Sequence, residues 1–153
     1  MFDNLVNTMK ILRKECPWDK EQTISSLKPY LLEEVYEVLE AMNEGGENLK
    51  KELGDLLLQI VFQSVIKEEE NEFNVYDVVN ALNEKLIRRH PHVFSDKKFE
   101  TTEEVNKEWE KIKKTEKENK DRKSALDGIP KTMPSILKAY EIQKKAAKVG
   151  FDW

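Results

Sequence analysis

The stretch ELGDLLLQIVFQ, Glu52 to Gln63, constrains the fold more than any other part of this chain. An α-helix turns by about 100° per residue, so positions three, four and seven apart share a face. Glu52, Asp55, Gln59 and Gln63 follow that spacing and form one narrow polar stripe. Leu53, Leu56, Leu57, Leu58, Ile60, Val61 and Phe62 cover the rest of the cylinder. A helix that is apolar over most of its circumference belongs inside a protein. Ionised carboxylates on such a helix are costly to desolvate unless something compensates them. The remaining sequence has to supply that compensation.

Helical periodicity recurs along the 153 residues and strand alternation does not, which predicts an all-α antiparallel helical bundle. Leu5, Met9 and Leu12 mark a first helix, followed by a turn-like CPWDKEQT. Ser26 is placed to cap a second helix, LKPYLLEEVYEVLEAMNE, with Pro29 in its first turn and Gly45 and Gly46 at its end. A third helix runs from about Leu49 to Glu70; Gly54 within it suggests a close approach of something bulky. Asn74 caps a fourth, with Val75, Val78, Val79, Leu82 and Leu86 on one face and Pro91 as its stop. Thr101 and Glu104 have the spacing of a capping box before a helix that stacks Val105, Trp109 and Ile112. A charged, Gly- and Pro-containing linker then precedes a last helix ending at Gly150. The expected organisation is one helical domain over 1–120, then a linker and C-terminal helix over 121–153 leading toward a further domain.

Several function classes are disfavoured at the outset. A formal net charge of −4 gives no general attraction to a nucleic-acid polymer. No run of 18 or more apolar residues exists to span a membrane. MFDNLVNTMKILRKE lacks the basic-then-apolar order of a secretion signal. Cys16 is the only cysteine, which rules out a disulfide within the chain and makes a reducing cytoplasm the expected compartment.

On the second helix, Leu31, Val35, Val38 and Met42 define the expected buried stripe, widened by Leu32 and Leu39. Glu34 and Glu37 lie on its other flank, while Glu33 and Glu40 point toward water. A short glycine link makes the second and third helices antiparallel neighbours, so Glu34 and Glu37 face Glu52 and Asp55. Four converging carboxylates repel and demand cations. Hard oxygen donors without Cys or His favour Mg²⁺, with Mn²⁺ as the alternative, over Zn²⁺. Such a site keeps coordination positions for substrate phosphates. NEKLIRRH supplies matching positive charge, because Lys85, Arg88 and Arg89 share the polar side of the fourth helix.

EEVYE followed by ELGD fits the E-x-x-E, spacer, E-x-x-D pattern of the all-α nucleoside triphosphate pyrophosphohydrolases. With CPWDKEQT, YLLEEVYEVLEA, ELGDLLLQIVFQ and KLIRRHPHVF in order, the chain resembles the N-terminal domain of the MazG family. WEKIKKTEK and the closing IQKKAAKVGFDW extend the resemblance over almost the whole chain. It implies Mg²⁺-dependent hydrolysis of nucleoside triphosphates to monophosphate and pyrophosphate. It also implies Glu34, Glu37, Glu52 and Asp55 as metal ligands, and Lys85 and Arg88 near the phosphates, with Asn83 and Arg89 beside them.

The residues leave other roles open. Trp18 suits either stacking on a base or plugging the core. Gln59 and Gln63 suit a buried hydrogen-bonded pair between helices. His90 and His92 flank Pro91 and shape a helix end, Trp109 packs, and Cys16 is inert. The apolar surface of the third helix exceeds what one antiparallel neighbour covers, which predicts a homodimer with a four-helix-bundle-like core. The competing functions are a narrow hydrolase of dUTP or a damaged nucleotide, and a non-catalytic dimer that senses nucleotides.

Overall fold

A computed structural model describes residues 1–116 and 124–151. Among the described residues there are eight α-helices and no strand, as the periodicity predicts: α1 (Phe2–Glu15), α2 (Pro17–Glu21), α3 (Lys28–Glu44), α4 (Gly46–Glu69), α5 (Val75–Arg89), α6 (Pro91–Phe94), α7 (Thr102–Thr115) and α8 (Ser135–Ala147). The chain divides into two compact units, Met1–Glu84 and Lys85–Trp153, with the division inside α5. The boundary expected at 120/121 lies outside the described residues. No helix among the described residues is long and apolar enough to cross a membrane.

The core of the first unit is a cluster of eight buried apolar residues. Val6 and Met9 of α1 join Val61, Phe62, Val65 and Ile66 of α4, and Leu27 and Val75 close the cluster. Lys10 bridges to Glu68 at 2.6 Å, and Arg13 to Glu69 at 2.6 Å. Arg13 also donates to the carbonyls of Asp19 and Gln22, which ties α2 to α1. The turn-like CPWDKEQT is therefore a single helical turn, begun by Pro17 at the position where a missing amide hydrogen costs least.

Local signals resolve individually. Asn74 caps α5 as expected, its Oδ1 accepting from the amides of Tyr76 and Asp77, while Asp77 accepts from the Asn74 amide. Thr101 Oγ1 accepts from the Glu104 amide, and Glu104 reaches back to the Glu100 amide, one residue earlier than the usual capping box. Ser26 does not cap α3. Thr23 begins the turn instead: Ser26 donates its amide to Thr23 Oγ1 and accepts from the Thr23 amide, so the helical path starts before the expected cap. Gly45 has φ +70°, which a side chain would strain, and its amide donates to Ala41 O where α3 ends.

Three packing expectations change. On α3 only Val38 and Ala41 are buried; Val35 and Met42 are exposed, Met42 at 63%. The cause is that α3 packs mainly along α4, which covers a narrower stripe than a helix in a full bundle would lose. On α5, Val75 enters the core, whereas Val79, Leu82 and Leu86 remain exposed. Among the described residues nothing lies within 4 Å of where a Gly54 side chain would begin, so the expected close approach of a bulky group is absent there.

Met9 is 1% exposed at the α1–α4 contact. Met9→Ala is expected to lower stability by about 2–5 kcal/mol through lost burial and the cavity left behind. A fall in the urea midpoint at unchanged slope checks it.

Candidate functional site

α3 and α4 are joined through Gly45, so the chain reverses almost at once. The register of the acids follows: Glu34 feels Asp55 and Glu37 feels Glu52, pairings that run in opposite directions along the two helices. One carboxylate oxygen from each of Glu34, Glu37 and Glu52 lies within 4.8 Å of the others. The structure thus brings together three of the four expected ligands. Asp55 sits beside them, its Oδ2 3.8 Å from Lys51 Nζ.

The electrostatics of this cluster are unresolved within the chain. Partial burial and the neighbouring Asp55, Glu37 and Glu52 raise the Glu34 pKa above its ordinary value. Local desolvation and the Glu52 carboxylate do the same to Glu37, although Glu37 is itself exposed. Glu52 is lowered, because Lys51 Nζ donates to its Oε1 at 2.8 Å. Lys51 is itself 67% exposed, a mobile ammonium resting at the edge of the acids. It reaches one oxygen of a buried carboxylate and leaves others unmatched. Glu34 Oε2, Glu52 Oε2 and Gln59 Oε1 are buried with no hydrogen-bond partner.

Orphaned buried oxygens are rare because each forfeits its solvation. These belong to the facing acids of α3 and α4 and, in Gln59, to the polar stripe of α4. An all-oxygen donor set with two unpartnered carboxylate atoms and an ammonium already attracted to it fits a hard divalent cation. Gln59 and Gln63 are not joined by a hydrogen bond among the described residues, so the expected buried pair is absent; Gln59 Oε1 extends the acceptor stripe instead. Trp18 lies edge-on to Tyr30 at 5.5 Å and to Phe62 at 6.4 Å, yet is 49% exposed. It borders the core without plugging it.

The cationic candidates divide by surroundings. Asn83 is exposed on α5. Within the second unit, Lys85 and Arg89 line a cavity of about 300 Å³ with Leu86, His90, Asn106 and Trp109. Trp109 carries the Arg89 guanidinium 5.2 Å and Lys113 5.0 Å from its ring centroid, so its role is packing against cations. His90 Nδ1 lies 2.6 Å from Leu86 O at the end of α5, consistent with a helix-end role. Arg88 and Arg89 both reach Glu116, whose carboxyl they hold at about 2, well below its ordinary range. Sequence reading overlooked both Glu116 and Lys51. Each is one charge in a highly charged segment, and no local spacing singles it out.

The MazG nucleotide pyrophosphohydrolase domain family matches residues 22–94, a span containing all four expected metal ligands. This match places residues 22–94 in the MazG nucleotide pyrophosphohydrolase domain family. A nucleoside triphosphate pyrophosphohydrolase of Escherichia coli K12 is 48% identical over 156 aligned residues, covering 99% of this chain and 59% of that protein. The nucleoside triphosphate pyrophosphohydrolase/pyrophosphatase MazG of Thermotoga maritima is 47% identical, covering 100% and 59% respectively. The chain thus spans about three-fifths of the length of these MazG relatives. The crystal structure of a mazG-related protein from Thermotoga maritima superposes with a TM-score of 0.63 at 26% identity, over 73% of this chain and 98% of that one.

The raised pKa values give a pH signature. In the metal-free fold the pKa values of Glu34 and Glu37 are raised, so their contribution to stability is present at low pH and lost as pH rises through those raised values. Mn²⁺ should raise the melting temperature at pH 7.5. That increment should shrink on acidification before the ordinary carboxylate value of 4.5 is reached, because protons compete for the same oxygens. Thermal melts with and without Mn²⁺ across this range check it; an increment undiminished at pH 4.5 contradicts it.

Proposed function

We propose that this MazG-family chain hydrolyses nucleoside triphosphates to the monophosphate and pyrophosphate, with Mg²⁺ held by Glu34, Glu37, Glu52 and Asp55, and with Mn²⁺ able to replace it. The single observation that carries the reading is the cluster of Glu34, Glu37 and Glu52, with its orphaned oxygens, inside the region matched by the MazG domain. The names of the relatives support the same reaction. When bound, the divalent ion supplies Lewis acidity toward a phosphoryl oxygen and makes water a better nucleophile near neutral pH.

The chain's own residues account for the remaining requirements. In the reaction, a water oxygen bonds to the α-phosphorus and the bridging bond to the β-phosphate breaks. The water's proton passes to a base, and the acids of α3 and α4 are the candidates. Lys85 and Arg88 neutralise charge on the departing pyrophosphate, Lys as a mobile point charge and Arg as a planar fork. Asn83 and Arg89 assist at the same helix end. The half-exposed ring of Trp18 is available to stack on a base.

The assembly we propose is a homodimer built on the uncovered sides of α3 and α4. Leu32, Tyr36, Leu39, Met42 and Leu53 are all exposed on these two helices, apolar side chains of the kind an interface covers. A partner copy would complete a four-helix core and cover them. Residues 1–120 are then the proposed pyrophosphohydrolase domain, and 121–153 a linker and C-terminal helix. The single thiol, Cys16, suits a reducing cytoplasm.

Incubation of a mixture of ribo- and deoxynucleoside triphosphates with Mg²⁺ should release pyrophosphate and monophosphates. Orthophosphate with diphosphates would indicate another enzyme, turnover of one substrate alone would select the narrow hydrolase, and binding without turnover the sensor. Sedimentation at micromolar concentration should give a dimer, and a stable folded monomer would refute the proposed assembly.

A further inference from the structure

Arg88 and Arg89 are neighbours at the end of α5, and two adjacent guanidinium groups repel each other. Glu116, immediately after α7, accepts from both. Its Oε1 takes hydrogen bonds from Arg88 Nε at 3.1 Å, Arg88 Nη2 at 2.8 Å and Arg89 Nε at 3.0 Å. Its Oε2 takes one from Arg89 Nη2 at 2.5 Å. The Glu116 side chain is only 5% exposed, so this is an enclosed clamp and not a surface ion pair.

Within the clamp, one carboxylate meets two guanidinium groups that differ in exposure. Arg89 is 14% exposed and lies over the Trp109 ring. Arg88 is 47% exposed, and its Nη1 makes no hydrogen bond among the described residues. One edge of the Arg88 fork is therefore fixed by Glu116 while the other remains available. Fixing one edge removes much of the rotamer freedom that an arginine otherwise loses on meeting a phosphate.

We propose that Glu116 is a positioning residue that holds Arg88 ready for a phosphate oxygen of the nucleotide, with Arg89 as the enclosed brace. The inference rests on the triphosphate reading above and adds a division of labour between two adjacent arginines. Arg88 meets the ligand; Arg89, stacked on Trp109, supports Glu116. A buried acid that merely ties α5 to α7 would affect folding without affecting the affinity of the folded protein.

The test uses calorimetric titration of the full chain with adenosine α,β-methylene triphosphate and Mg²⁺, alongside thermal melts. Glu116→Gln and Arg88→Ala should each weaken binding about tenfold, and the double variant should weaken it no further than either alone. Binding by Glu116→Gln within about twofold of the wild type, or additive losses in the double variant, overturns the positioning role. A wild-type chain that does not bind the analogue overturns the triphosphate reading and this proposal together, so the two failures are distinguishable. If Glu116→Gln does not fold, side-chain nitrogen NMR of the wild type decides. Inorganic triphosphate should shift the Arg88 guanidinium signals and leave those of Arg89 in place; the reverse pattern, or no shift, overturns it.

Discussion

Negative charge that Lys51 only partly counters, placed where two helices touch, is the constraint on which the rest depends. Glu34, Glu37 and Glu52 approach one another along the α3–α4 contact, and Lys51 satisfies only one of their oxygens. A fold stabilised by apolar burial alone would have placed these acids in water. Here Glu52 is buried on the same helix that supplies Val61, Phe62, Val65 and Ile66 to the core. The apolar part of α4 therefore anchors the helix against α1, and its acidic part meets α3. Stability and chemistry occupy successive stretches of one rod.

That division explains the thinness of the core. The cluster around Met9 and Val61 fastens α1 to the second half of α4, while the main neighbour of α3 is α4. Leu39, Met42 and Leu53 remain exposed among the described residues. The acids and the uncovered apolar side chains are therefore two aspects of the same helix pair. In the second unit, Glu116 accepts from Arg88 and Arg89, and the Trp109 ring is a platform for Arg89 and Lys113.

Much of this was legible in the residues because it is periodic. The polar stripe of Glu52, Asp55 and Gln59 is a consequence of helical rotation, and its confrontation with Glu34 and Glu37 follows from the short glycine link. The caps at Asn74 and Thr101 are local chemistry and read directly. What was not legible depends on what lies opposite. The expected burial of Val35 and Met42 presumed a covering layer that α4 alone does not provide. Ser26 has the right chemistry for a cap, but Thr23 reaches the same turn first. Glu116 was missed because the fork that recognises it, Arg88 and Arg89, is 27 residues or more distant in sequence. Nor do Gln59 and Gln63 form the expected amide pair among the described residues; Gln59 Oε1 is buried without a partner.

The central claim is that the facing acids of α3 and α4 form a cradle for a divalent ion. Anomalous diffraction at the manganese edge, from crystals grown with Mn²⁺, tests it most directly. The account predicts a peak within coordination distance of carboxylate oxygens of Glu34, Glu37 and Glu52. Those same side chains splayed apart with no anomalous signal between them, in crystals that contain Mn²⁺, would contradict it.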